Sequence, residues 1–216
     1  MRVVVAGGHG QIALRLTKLL AQRGDTAVGI VRNPDHVADV REAGGDAVVL
    51  DLEQAAVDEV AAALAGADAV VFAAGAGPGS GVARKDTVDR AASVLFADAA
   101  ESAGVRRFLQ VSAMGLDRAG DPSMDEVFAV YLRAKDAADK DVMARTGLDW
   151  TILRPGRLTN DPAVGTVTLA ESVPPGAVTR DDVAAVLVAL LDRPDTAGRV
   201  YELVGGDTPI DDALSA

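Results

Sequence analysis

Tyr131-Leu132-Arg133-Ala134-Lys135 carries the side chains of this sequence best suited to acid–base chemistry. The segment reads as the interior of a helix, and residues four apart share a helix face, so the phenol and the ammonium can converge on one point. A phenol titrates near ~10 and is a poor acid at neutral pH, but a neighbouring cation favours the phenolate and moves its pKa toward the working range. Tyr131 then becomes a proton donor to a carbonyl oxygen. Ser112, in Val111-Ser112-Ala113-Met114, offers a hydroxyl that can hold the same oxygen. The plain alternative is a Tyr131 packed on the apolar side with Phe128 and a Lys135 in solvent.

A second set of residues suggests what such a donor would work beside. Val3-Val4-Val5-Ala6-Gly7-Gly8-His9-Gly10-Gln11-Ile12-Ala13 breaks from an apolar run into glycines and then into the helical pattern Ile12, Leu16, Leu19, Leu20. A strand, a tight turn and a helix start thus follow one another. Residues without Cβ let the backbone take positive φ and let a diphosphate approach free N–H groups at the positive end of the helix dipole. The glycines fit two dinucleotide registers, Gly8-x-Gly10-x-x-Ala13 and the wider Gly7-x-x-Gly10-x-x-Ala13 found in many NADP-using reductases. An NAD site would place Asp or Glu at the tip of the second strand; here the tip carries Arg32, suited to a bidentate pair with a 2′-phosphate and with no carboxylate beside it to repel one. NADP is therefore expected, with NAD as the alternative. The third strand ends in Asp51-Leu52, where Asp51 either accepts from an adenine amino group or caps a helix. Ala73-Ala74-Gly75 closes the fourth strand with residues small enough for backbone to pass a ribose. Beyond it, Gly75 to Gly81 holds four glycines and a proline and reads as a mobile loop at the substrate edge. Beside such a cofactor, Lys135 can also hydrogen-bond the nicotinamide ribose.

The elements that must position these groups repeat one unit. Strands read at Ala27–Val31, Ala47–Leu50, Ala69–Phe72, Phe108–Val111, Trp150–Leu153 and Val200–Val204 follow the first. Helices read between them at about Asp35–Ala43, Ala55–Leu64, Val88–Ser102, Met124–Arg145 and Val183–Leu191. Seven strands joined by crossover helices give an α/β doubly wound parallel sheet with helices on both faces, a Rossmann arrangement. Ligand belongs at the carboxyl ends of the strands. The 216 residues read as one domain, with small substrate-side elements from 154–180 and a C-terminal tail.

Composition excludes several other classes. The 49% hydrophobic and 3% aromatic content describes a core of Ala, Val and Leu, as alternating parallel strands and helices require. With no Cys and two His, no disulfide framework, thiol nucleophile or metal centre is expected. A net charge of −11 opposes binding to nucleic acid. No apolar run approaches the ~20 residues of a membrane span and no secretory leader is read at the start, so a cytoplasmic protein is expected, its partner a small-molecule substrate and its oligomeric state open.

Gly7-x-x-Gly10-x-x-Ala13, Val111-Ser112-Ala113-Met114-Gly115, Tyr131-x-x-Ala134-Lys135, Thr151-Ile152-Leu153-Arg154-Pro155-Gly156 and Arg180-Asp181-Asp182-Val183-Ala184 together resemble the atypical short-chain dehydrogenase/reductase family, with its NAD(P)-binding, nitrogen-regulator-like members and NAD-dependent epimerases and dehydratases. The resemblance covers nearly the whole chain. It implies a cofactor site at Gly7, Gly10, Gln11, Ile12, Arg32, Asp51, Leu52, Ala74 and Gly75, a reductase triad of Ser112, Tyr131 and Lys135, and a Pro155-Gly156-Arg157-Leu158 segment close to the nicotinamide. The chain is short after the sixth strand, which leaves little room for a sugar-nucleotide domain, and the Ser112 to Tyr131 separation is longer than in compact members. An NADP(H)-dependent oxidoreductase acting on a small carbonyl or quinone is the leading expectation. A non-catalytic NADP(H) sensor and an epimerase or dehydratase are the alternatives. Arg106-Arg107 and Arg41-Glu42 read as solvated charges, Trp150 as core, Thr179-x-x-Asp182 as a helix cap, and His9 as either a cofactor contact or a surface residue. The tail from Gly205 either docks Ile210 and Leu214 or frays.

Overall fold

In β1 (Arg2–Ala6), Val3 to Ala6 are all fully buried, which is why the run is continuously apolar rather than alternating. Val3 and Val5 face one core, Val4 and Ala6 the other. A computed structural model describes residues 1–77 and 79–215; Pro78 of the glycine-rich segment and Ala216 lie outside the described residues.

Seven parallel strands form the body of the sheet: β1, β2 (Thr26–Val31), β3 (Asp46–Val49), β4 (Ala69–Phe72), β5 (Arg107–Val111), β6 (Asp149–Pro155) and β10 (Arg199–Gly205), in the order β3-β2-β1-β4-β5-β6-β10. The order reverses between β1 and β4, and the crevice beyond that point is where doubly wound sheets bind ligand. One face is covered by α1 (Gln11–Arg23) and α7 (Arg180–Leu191), the other by α3 (Val57–Leu64), α5 (Ala92–Ser102) and α6 (Glu126–Met143). The short α2 (Val37–Glu42) follows a tight turn at Pro34–His36 and leads into β3.

The sheet is wider than the expected seven strands. β8 (Thr166–Ala170) runs antiparallel to β10, and β11 (Thr208–Pro209) antiparallel to β8, while β7 (Arg157–Thr159) and β9 (Ala177–Thr179) pair separately. These additions are short and only Val167 of β8 is fully buried, so they leave little hydrophobic signal. The tail docks: α8 (Ile210–Ala213) follows β11, and Leu214 joins the core with Ile210 against it.

Two further corrections concern elements near the site. The helix expected from Val88 begins at α4 (Val82–Arg84) and continues through a π-helical stretch, Lys85–Ala91, into α5. Lys85, Val88 and Asp89 of that stretch are buried, on the same stripe as Ala92, Ser93, Phe96 and Ala97 of α5. Arg107 is not a solvated charge, unlike its exposed neighbour Arg106. Its Nη2 donates to the carbonyls of Leu190 and Arg193 at the end of α7, and its Nη1 to Thr151 Oγ1 and the Asp149 carbonyl. It therefore ties β5, β6 and the carboxyl end of α7 together. Thr179 and Asp182 do form the expected cap, Thr179 Oγ1 accepting from the Asp182 N–H at 2.9 Å.

Candidate active site

Gly7, Gly8 and Gly10 shape the turn between β1 and α1 for three separate reasons. Gly7 adopts φ +75°, and a Cβ there would lie 2.6 Å from the Ala74 Cα. Gly8 meets β2 so closely that a Cβ would lie 2.5 Å from the Gly29 Cα. Gly10 is the residue before the first turn of α1; it donates to the Gly7 carbonyl at 2.7 Å, and no side chain caps the N–H groups beyond it. Both sequence registers thus use their glycines, and the helix start keeps open donors for an anion. Ala13 lies fully buried where α1 packs on the sheet.

Two cavities meet at this turn. The first, of about 280 Å³, lies over β2 and β3 and is lined by Arg32, Asp51, Leu52, Glu53, Arg84 and both histidines among others. The second, of about 530 Å³, lies over β5 and β6 and takes in Gln11, Ile12, Ser112, Tyr131, Lys135 and Pro155. Gly10, Ala73, Ala74 and Gly75 belong to both. All the sequence-predicted site residues therefore fall along one trough, with the glycine turn at its waist.

At the first cavity the sequence reading needs correction, because a carboxylate does stand beside Arg32. Glu53, from the loop after β3, accepts from Arg32 Nη1 at 2.8 Å, from Arg84 Nη2 at 2.8 Å and from Thr87 Oγ1 at 2.6 Å. The Arg84 hydrogen bond holds its carboxyl below the usual range against the opposing effect of burial, with Thr87 and the charges of both arginines adding to it. Two guanidiniums on one carboxylate still leave a surplus of positive charge. Asp51 neither caps a helix nor stands free: its side chain accepts from the Glu53 N–H at 3.0 Å, and Ala56 occupies the position before α3. His9 and His36 stack with centroids 3.6 Å apart, and His9 Nε2 lies 2.6 Å from Asp39.

At the second cavity α6 presents Tyr131 and Lys135 on one face. Lys135 is not solvated; it is 4% exposed and donates to the Val111 carbonyl at 3.1 Å. Asp89, from the π-helical stretch, lies 3.6 Å from its Nζ. Tyr131 stacks against Phe128 at 5.8 Å and sits under Lys85 Nζ, 5.4 Å from its ring centre. Its phenol is pushed above its ordinary value, first by burial and then by the charges of Asp89 and Asp139. That reverses the expected lowering by Lys135, whose own charge is opposed by Asp89. Ser112 Oγ lines the cavity but donates to Asp139 Oδ2 at 2.9 Å. Asp139 also accepts from Gln110 Nε2 and Arg154 Nε, a buried network behind β5 and β6. Burial raises the Asp139 carboxyl, with Arg154 the largest opposing influence.

The residues fit a dinucleotide: two cavities joined at a waist whose glycines a Cβ would fill, uncapped helix N–H groups there, and cations at one end. The sequence profile of the NAD(P)H-binding family matches residues 7–194. The chain belongs to this family. It is 39% identical over 215 residues, 99% of each chain, to the Bacillus subtilis (strain 168) protein YhfK, described as an uncharacterized sugar epimerase. A solved Bacillus halodurans structure, named for the NAD-dependent epimerase/dehydratase class, superposes with a TM-score of 0.91 at 37% identity, covering 100% of this chain and 99% of the other. The Lactococcus lactis oxidoreductase ylbE superposes at 0.85 with 28% identity, covering 100% and 95%.

Glu53, Arg84, Lys85, Asp89 and Asp139 were not singled out from the sequence. Glu53 and Arg84 stand 31 positions apart in segments with no periodicity. Asp89 lies at helical spacing from the buried Ala92, Ser93, Phe96 and Ala97, but a carboxylate on an apolar stripe reads as a helix-start charge rather than a site residue. Asp139 likewise had an available signal: it follows Lys135 by four residues, on the same helix face.

Proposed function

We propose that this protein is an NADPH-dependent oxidoreductase that reduces a small carbonyl or quinone-like substrate, with Tyr131 as the proton donor. The observation that carries this reading is the opening of Tyr131 and Lys135 into the same cavity as Gln11, Ile12 and Pro155, directly beyond the glycine turn. When bound, the cofactor supplies a hydride from its nicotinamide ring.

The remaining work falls to the chain. The first turn of α1 holds the diphosphate with its free N–H groups, and Arg32 and Arg84 take the 2′-phosphate, exchanging part of their contact with Glu53 for it. Lys135 holds the nicotinamide-side ribose. Tyr131 donates a hydrogen bond to the substrate oxygen and passes the proton as negative charge builds there. A phenol that keeps its proton suits reduction, because an alkoxide is a stronger base than a phenolate. Phe128 and Val127, both exposed and lining the cavity, give an apolar approach for the substrate.

The experiment is an NADPH-consumption screen over carbonyl and quinone compounds with product analysis. Loss of NADPH matched by reduced product supports the reading. Interconversion of sugar isomers with no net consumption would favour the epimerase suggested by the name of YhfK, and a protein partner that distinguishes NADP from NADPH in the absence of turnover would favour a sensor.

A further inference from the structure

Asp89 is fully buried, yet only one of its oxygens has a hydrogen-bond partner. Oδ2 accepts from the Ala76 N–H at a long 3.3 Å, while Oδ1 has no partner. A buried carboxylate oxygen left unpaired is costly and calls for an explanation. Asp89 lines the larger cavity, and its Oδ1 lies beside Gly75, where a Cβ would stand 3.2 Å from it; the glycine leaves room at that oxygen. Across from it, Lys135 Nζ lies at 3.6 Å, too far for a hydrogen bond, and Lys135 uses one of its three donors on the Val111 carbonyl.

The pair is thus held just open, with a free acceptor on one side and free donors on the other. A hydroxyl is the group that satisfies both, because its oxygen accepts from the ammonium while its hydrogen goes to the carboxylate. An anion would be repelled by Asp89 and a cation by Lys135. The position, beside the waist shared by the two cavities, is next to where a dinucleotide passes from diphosphate to second ribose.

We propose that Asp89 is a cofactor-binding residue which, with Lys135, grips one hydroxyl of the nicotinamide-side ribose. The proposal rests on the NADPH reading above. Its test uses the whole protein and two ligands, NADPH and adenosine 2′,5′-bisphosphate, which lacks the second ribose and the nicotinamide. Asp89→Ala should weaken NADPH binding about tenfold or more and leave the bisphosphate within about twofold, by calorimetric titration. Asp89→Asn, which keeps the shape and one acceptor oxygen, should lose only a fewfold in NADPH affinity, again with the bisphosphate unchanged, and this variant carries the test if the alanine variant does not fold. Equal losses for both ligands mark Asp89 as merely structural and overturn the proposal. Unchanged NADPH affinity overturns it too, including the case where only a substrate KM rises and the hydroxyl belongs to the substrate. If the unmodified protein binds neither ligand, the cofactor reading itself fails.

Discussion

The phenol of Tyr131 keeps its proton well past neutrality, because burial and the nearby Asp89 and Asp139 charges all oppose the phenolate. The acid form, which reduction requires, is full below its pKa and is lost only as pH rises through it. A turnover profile for reduction should accordingly show no Tyr131-dependent inflection between about pH 6 and about pH 9; an inflection in that window that vanishes in Tyr131→Phe would contradict this. Cofactor choice also rests on single residues. Arg32→Asp should lower NADPH affinity by about 10- to 100-fold, the scale of a charge-assisted contact, and shift preference toward NADH. Glu53→Gln releases Arg32 and Arg84 and should raise the NADPH-to-NADH affinity ratio; calorimetric titration of both cofactors checks it, and a fall in the ratio would contradict it. Arg32 was legible in the sequence because its place follows from one strand end. Glu53, which governs that arginine, was not, because the contact is made between loops brought together only by the folded sheet.

At the scale of elements, the β1–turn–α1 unit was readable almost residue by residue, since its geometry is local. Its glycines nevertheless separate into two kinds. Gly10→Val should abolish NADPH binding with the fold intact, because the branched side chain fills the phosphate position and presses on the Gly7 carbonyl, 3.0 Å from its Cβ. Gly8→Ala should instead lower stability by about 1–3 kcal/mol, since its Cβ meets backbone of β2. Urea unfolding and cofactor fluorescence on both variants distinguish these outcomes. Arg107 makes the complementary case, where sequence position suggested a solvated charge and packing made a clamp. Arg107→Met strands the carbonyls at the end of α7 and should cost about 2–3 kcal/mol in urea unfolding, with NADPH affinity unchanged. The π-helical winding of Lys85–Ala91 had no sequence mark: no proline or glycine interrupts it, and its buried residues continue the inward face of α5 at ordinary helical spacing while it packs on α6.

For the whole molecule, the parallel strands were legible because the inner ones, β1, β2, β4 and β5, are buried almost throughout and write nearly continuous apolar runs, and the outer β3 and β10 still carry Ala47-Val48-Val49 and Leu203-Val204; the short antiparallel edge, β8 and β11, writes no such run. The same sheet sets the two cavities on either side of the β1–β4 reversal and aims both at the glycine turn. Among the described residues no helix is long and apolar enough to cross a membrane. The central proposal is that in this trough hydride is delivered to a substrate carbonyl carbon whose oxygen Tyr131 protonates. The most direct measurement is the rate of nicotinamide absorbance loss when a carbonyl acceptor from the screen is added to NADPH-saturated protein, wild type against Tyr131→Phe. Equal cofactor affinity and a rate roughly 10²-fold lower in the variant are expected. Equal rates in the two proteins at equal saturation would contradict it.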